Sequence, residues 1–574
     1  MALTTQSALP SFANNTECKL QMDMMGSSRF IALASNWSWL LLVVATIYQG
    51  IFFASLPNFI AIGCILLTWA LFTHIFLQPT IIHNYPLSVF VILGFITTQL
   101  YFPLLFTSLE GKPVIFNLEL PYQVFLHSTA AFVVLVLAHA VYRSLVSKTA
   151  RETSSTLVKL GFFNPPNDLQ LWLFGTIGLC STFYVFLHSP SIGREATGAA
   201  LDKAIMALIP FSYAPFFIPF SRLYGSSKQH TGKLIPLLLI YILLLFLISI
   251  GRNSRGGFMI GFSSVGFSYV LGLLFGVYKV HFFTMRNAFI AIGALWLFTG
   301  PIADMGTAMV VVRQQKREIS YSDLISNTWD AFNDKEAIRI RRLSDADESG
   351  STGWDESYLN NIFLARFCNI KFNDLSLVRA SKLPDHDPRM LKYSINYLYA
   401  ELPQPLLDLF KLSSVDKVAL RSASVGDYIY YFADGPPEVL GYYITGHFAG
   451  TGMAAFGWWY LLLLGSGMVP VFLLFDKFFM INLFQNASGI SKSSFCFSLC
   501  GMLSLDSIFR FLNPFESVTT IALFLLRGWV QMIVIYFVIY HITRFLSGFA
   551  LQRNTLRSPG VRYFYRSRED LIRK

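Results

Sequence analysis

The residues most able to do chemistry stand in the stretch Ile248–Gly261, ISIGRNSRGGFMIG, a short polar turn between two long apolar runs. It carries Arg252 and Arg255, followed at once by Gly256 and Gly257 and the next apolar run. The N–H groups at a helix start are free and partially positive, so such a turn suits an anion. Two guanidiniums add planar, bidentate donors of the kind that hold phosphate. Snorkelling to lipid headgroups is the competing use of the same side chains. Other basic residues could join them. Arg194 lies in HSPSIGREATG, Arg510 in LDSIFRFLNPFE one turn after Asp506, and Arg527 in FLLRGWV within an apolar run. An arginine at membrane depth costs roughly 2.5–3.5 kcal/mol on insertion scales, so it pairs with a partner or lines a wet cavity. For Arg510 an ion pair with Asp506 is the alternative to a ligand role. His447, in TGHFAG, is a candidate proton carrier or phosphate partner, because a histidine titrates near neutrality.

The elements that must position these groups are membrane helices. Of 574 residues 54% are hydrophobic and only 13% charged, and the mean hydropathy is +0.51. Soluble domains carry roughly 25% charged residues. About 20 apolar residues cross a bilayer, and twelve runs qualify: Trp37–Leu56, Phe59–Leu77, Pro86–Phe106, Tyr122–Tyr142, Leu171–Leu187, Ile205–Phe220, Leu234–Ile250, Phe258–Tyr278, Ala288–Ala303, Met453–Phe475, Phe495–Leu512 and Val518–His541. The sixth is interrupted by Pro210, Pro215 and Pro219, which suits a helix lining a cavity. The expectation is an all-α polytopic membrane protein. Residues 1–36 form a mostly loose cytoplasmic lead and 37–303 hold nine spans. An extracytoplasmic domain occupies 304–452, three more spans 453–541, and a basic cytoplasmic tail 542–574.

Loop charge sets the orientation. The tail carries Arg544, Arg553, Arg557, Arg562, Arg566, Arg568, Arg573 and Lys574, which puts it in the cytoplasm. Counting back makes the basic loops 143–170, 221–233 and 279–287 cytoplasmic, and both termini with them. The segment 304–452 then lies outside. It holds 20 of the 33 acidic residues, and helical spacing over Ser320–Leu343 and Met390–Leu412 predicts a helical cap. The formal charge of +11 is spread among loops and not interleaved with aromatics on a soluble face, so nucleic acid is not an expected partner. Six scattered cysteines form no disulfide framework or metal motif; Cys496 and Cys500 are read as core residues one helical turn apart. Trp458, Trp459 and Tyr460 read as an interfacial aromatic belt.

Many spans, an SRGG turn opening a helix, one large late outer loop, and a histidine among glycines at its exit together resemble the Wzy-type O-antigen and exopolysaccharide repeat-unit polymerases. The same features are similar to the related O-antigen ligases. The resemblance covers roughly Trp37 to His541. It implies a GT-C-like fold and a metal-independent membrane glycosyltransferase of the bacterial inner membrane, without a cofactor. Donor and acceptor would be oligosaccharides on polyprenyl diphosphate, with a flippase and a chain-length regulator as possible partners. In that frame Arg252 and Arg255 neutralise the departing diphosphate, with Arg194, Arg510 and Arg527 as further binding residues. His447 deprotonates the acceptor hydroxyl or holds the diphosphate. A ligase, or a transporter or flippase of lipid-linked or anionic solutes, is the alternative; no two-half repeat of the kind many transporters show is evident.

Overall fold

A computed structural model describes residues 24–146, 156–188, 204–226, 234–251, 255–279, 300–312, 321–340, 354–402, 404–411, 416–485, 491–513 and 515–557, with isolated positions between 280 and 300. The described chain is helical apart from one hairpin, in which Phe479–Gln485 pairs antiparallel with Ser491–Phe497. Seven helices are long and apolar enough to cross a membrane: Met25–Phe52, Leu56–Ile75, Pro86–Leu109, Pro121–Leu145, Ala204–Tyr224, Trp459–Asp476 and Thr519–Gly548. Leu234–Ser249 and Ile260–Leu274 are shorter apolar helices. The fifth expected run forms the helix Asp168–His188, and most of the ninth lies outside the described residues. The architecture is that of an all-α polytopic membrane protein. Rows of exposed apolar side chains, such as Leu526, Val530, Val534 and Val538 at every fourth residue of the last helix, give it a lipid-facing surface.

Several boundaries differ from the sequence reading. The first helix begins at Met24, within the stretch expected as the lead. Ser27 is fully buried there and bonds to His83 Nε2 at 2.7 Å, fastening the helix start to the bundle. At the other end the last helix runs on to Arg557, well into the expected tail. The tenth run is two helices, Phe448–Phe456 and Trp459–Asp476. They break at Gly457, whose φ of 54° and close approach to the His386 ring exclude a side chain.

The eleventh run is not a span. Phe495–Phe497 belong to the hairpin, and the rest folds into two five-residue helices, Leu499–Leu503 and Leu505–Phe509. Ser498 caps the first of these by accepting from Gly501 N at 3.1 Å. Cys496 therefore sits on a strand and Cys500 on a helix, both buried, and not one turn apart on a single helix. The segment is apolar because protein encloses it. The Phe509 carbonyl lies so close to Gly94 that a Cβ there would stand 1.7 Å from it. A segment buried in protein and one buried in lipid have the same hydropathy. The sixth run is 3-10 helical over Ile209–Tyr224, with Pro215 and Pro219 inside it and a kink at Phe220. Tyr241 satisfies backbone it leaves free at Ser212 O, 2.8 Å away, and also reaches Gly175 O of the helix Asp168–His188 at 3.1 Å.

The segment between the ninth and tenth runs docks onto one end of the bundle through its helix Ile370–Ala380. Asn369 N donates to Thr98 O, and buried Asp374 accepts from Glu119 N and Leu120 N while pairing with Lys371. Glu110 accepts from Asn360 N and Asn361 N in the same corner. The loops around 110–120 and 354–374 are thus gathered at one end.

Candidate functional site

The site is a cavity of about 860 Å³ where that docked domain meets the membrane helices. Four stretches build its charged wall. The short helix Leu505–Phe509 ends at Arg510, which closes back on Asp506 four residues earlier, its Nε donating to Oδ2 at 3.0 Å. Asp506 also accepts from Ser263 Oγ. Three residues on, Asn513 lines the wall; it is 4% exposed and its Nδ2 has no hydrogen-bond partner. The last helix contributes Arg527 from a π-helical turn, Phe524–Gly528, a local irregularity that is frequent at functional sites.

The domain supplies the remaining pair. Glu401 follows the C-terminus of the helix Pro388–Tyr399, and Arg421 ends the helix Lys417–Arg421, which Asp416 caps. Lys417 donates to Leu402 O and Arg421 to Ala400 O, placing cations against the carbonyl end of the first helix. Glu401 then bridges the two bodies. Its Oε1 accepts from Arg421 Nη2 and its Oε2 from Arg527 Nη1, each at 2.7 Å.

Among the described lining residues, three guanidiniums therefore face two carboxylates. Met206, Ala207, Ile260, Phe511, Leu523 and Phe524 complete a largely apolar lining. The arrangement can hold an anion of several oxygens at the edge of an apolar space, which is the form of a lipid-borne phosphate headgroup.

Of the residues singled out in the sequence, Arg510 and Arg527 meet here although 17 positions apart, and both line the cavity. Arg510 pairs with Asp506 as the alternative expected, and still borders the open space. Arg255 opens the helix Arg255–Leu274, and Ile260, about 7.5 Å further along that helix, lines the cavity; the Arg255 side chain lies outside what the structure describes. Arg252 and Arg194 lie outside the described residues.

His447 stands elsewhere. It is 1% exposed, caps the helix Phe448–Phe456 by accepting from Ala449 N at 3.3 Å, and meets Gln99 Nε2 through its other ring nitrogen at 3.0 Å. Burial, with His127 nearby as a lesser cause, pushes its pKa down to about 3, so the ring is neutral at ordinary pH. It does not line the cavity. Its surroundings are a sealed polar seam: Ser376 Oγ accepts from His447 N, and Gln99 sits on a second π-helical turn, Thr97–Tyr101. The expected aromatic belt is also split. Trp458 and Trp459 are exposed, whereas Tyr460 is fully buried and bonded to His127 Nδ1 at 2.7 Å.

Arg421, Glu401 and Asn513 are cavity residues that the sequence reading did not single out. Asn513 had a signal, three residues from Arg510. Arg421 and Glu401 had none, since nothing local tells that two helix ends 20 residues apart will meet Arg527. Among the described residues, no three His, Cys, Asp or Glu side chains converge as a metal site would require. Comparison with family models, with curated proteins and with solved structures finds no match, so these residues and their geometry are what bear on function.

Proposed function

We propose that this chain is a membrane glycosyltransferase that polymerises oligosaccharide repeat units carried on a polyprenyl diphosphate, on the outer face of the inner membrane, as its resemblance to Wzy-type polymerases implies. The observation that carries the reading is the arginine-walled cavity between the docked domain and the last helix. A polyprenyl diphosphate presents two linked phosphates at the end of an apolar chain. On this reading Arg510 and Arg527, which line the cavity, would take the phosphates, and the lipid-facing row beside Arg527, from Leu526 to Val538, would give the chain a path into the bilayer.

In the reaction the bond from the sugar anomeric carbon to the diphosphate oxygen breaks, and the diphosphate leaves with the electron pair. The anomeric carbon bonds to a hydroxyl oxygen of the acceptor unit, and the hydroxyl proton passes to the departing diphosphate, whose oxygen holds the electron pair. Negative charge grows on the leaving oxygen, where fixed guanidiniums act most strongly. Asn513 would add a neutral donor whose hydrogen is otherwise unused.

The test is reconstitution: purified protein in nanodiscs with lipid-diphosphate-linked repeat units, without added metal, run on a gel. A ladder of repeat lengths is expected. Transfer of preformed polymer to a second lipid, with no ladder, would mark a ligase. Movement of the lipid-linked unit across the bilayer without new glycosidic bonds would mark a flippase.

A further inference from the structure

The geometry points to Glu401 as a carboxylate latch of the arginine cavity, which holds the domain corner of Glu401 and Arg421 against the last helix until a phosphate-bearing group takes Arg527 from it. This rests on the reading of the cavity as a diphosphate site. The two sides of the bridge are unequally anchored. On the domain side, Arg421 also donates to Ala400 O, and Lys417 donates to Leu402 O, so Glu401 and Arg421 belong to one tied corner. On the membrane side, Arg527 reaches Glu401 from a π-helical turn with its side chain 41% exposed. The Arg527 contact is therefore the one that gives way.

What would replace it is already in the wall. Asn513 Nδ2 is buried with no partner, and Arg510 borders the same space with its side chain 30% exposed. A diphosphate has enough oxygens to engage Arg510, Arg527 and Asn513 together; the Glu401 carboxylate has two, of which one is committed to Arg421. Binding thus exchanges a carboxylate for a richer acceptor and frees the domain corner.

A latch of this kind lowers the apparent affinity of every anion by the same factor, the fraction of time the site is open. Weak ligands, such as the phosphodiester headgroups that crowd the membrane surface, fall below occupancy. A strongly held diphosphate does not. Substrate selection by threshold follows from one residue outside the membrane helices.

The test uses the full-length protein in nanodiscs and inorganic pyrophosphate as the probe. Binding is followed by calorimetry, and the distance between spin labels at Leu409 and Val538, both exposed, reports the corner. For a latch closed nine-tenths of the time, Glu401→Gln binds pyrophosphate roughly tenfold tighter. The wild-type label distance shifts on saturation toward that of empty Glu401→Gln, which itself does not shift. Arg527→Gln breaks the bridge from the other side, so it shows the shifted distance without the gain in affinity. Unchanged or weaker binding by Glu401→Gln would show that Glu401 merely orients Arg527, and overturn the latch. Tighter binding with no distance change in any variant would reduce the effect to lost repulsion, and overturn it also. Failure of both wild type and Glu401→Gln to bind pyrophosphate would overturn the diphosphate reading itself, and the latch with it.

Discussion

Arg510 offers the sharpest separation of a packing role from a ligand role, because its structural partner is known. Asp506 is 7% exposed at the side chain and is held by Arg510 and by Ser263 Oγ. Arg510→Ala leaves that carboxylate with the hydroxyl alone. A hydrogen bond to a charged group contributes about 1.5–3 kcal/mol, and that is the destabilisation expected, softened by the partial exposure of the guanidinium. Asp506→Asn with Arg510→Ala removes both charges, and most of the lost stability should return, with a coupling of about 1–2 kcal/mol in the double-mutant cycle. Activity should behave differently. If Arg510 also holds the leaving diphosphate, the double variant recovers its fold and not its turnover, which falls by about 2–4 kcal/mol of transition-state stabilisation, or roughly 30- to 1,000-fold. Unfolding in an SDS titration measures the first quantity, and initial rates of polymer formation at equal amounts of folded protein measure the second. A double variant that is stable and turns over at the wild-type rate would confine Arg510 to packing and remove one of the three cations from the site.

Arg255→Lys should lower turnover more than it weakens substrate binding, since lysine offers a point charge where a guanidinium holds two oxygens, and Arg255→Ala should cost about 2–4 kcal/mol; wild-type ladders from both would dissociate the turn from the site. Glu516 is raised to about 7 by burial, with Asp427 adding to it against the opposing Val425 and Gly426 N–H groups. Its protonated form is favoured in the fold, so its contribution is full below its ordinary value of 4.5 and is lost as pH rises through 7. Glu516→Gln should therefore melt higher than wild type at pH 8 and equally at pH 4.5, and the reverse order would refute the assignment. His447 runs the other way: its neutral form is favoured, so stability is kept above 6.5 and lost as pH falls toward 3, which a melting series from pH 7 to 4 will show. Gly450→Ala would set a Cβ 2.2 Å from the Ser376 carbonyl carbon and should destabilise by about 1–3 kcal/mol or block assembly, while Gly63→Ala, with open space around it, should be neutral or slightly stabilising. Thermal unfolding of the pair checks the contrast.

Much of the architecture was legible because lipid imposes a simple demand. Apolar runs of span length, such as Pro121–Leu145 and Leu56–Ile75, must close their own hydrogen bonds and so become helices whatever surrounds them. The prolines of the sixth run announced an irregular helix, and Asp506 and Arg510 announced an i,i+4 pair. These are local facts, carried by neighbours along the chain. The segment 495–512 shows where such reasoning ends. Its hydropathy matched a span, but the burying medium is Gly94 and the helix around it, and only the packed structure tells protein from lipid. His447 makes the same point for chemistry. Its sequence setting allowed a proton carrier; 1% exposure and a helix-capping bond instead lock it neutral in a seam, because burial and not residue type sets a titrating group's charge.

The cavity was half determined in advance. That Arg510 and Arg527 needed a partner or a wet space followed from the cost of charge at membrane depth. Which partner each would take did not. Arg527 meets Glu401 from 126 positions away, and Glu401 meets Arg421 across two helix ends. No periodicity or spacing encodes contacts of that range. They exist because the helix Ile370–Ala380 seats its buried Asp374 on the backbone of Glu119 and Leu120 while the helix Pro388–Tyr399 packs on Thr519–Leu523, which brings the charged corner of Glu401 and Arg421 to the arginines.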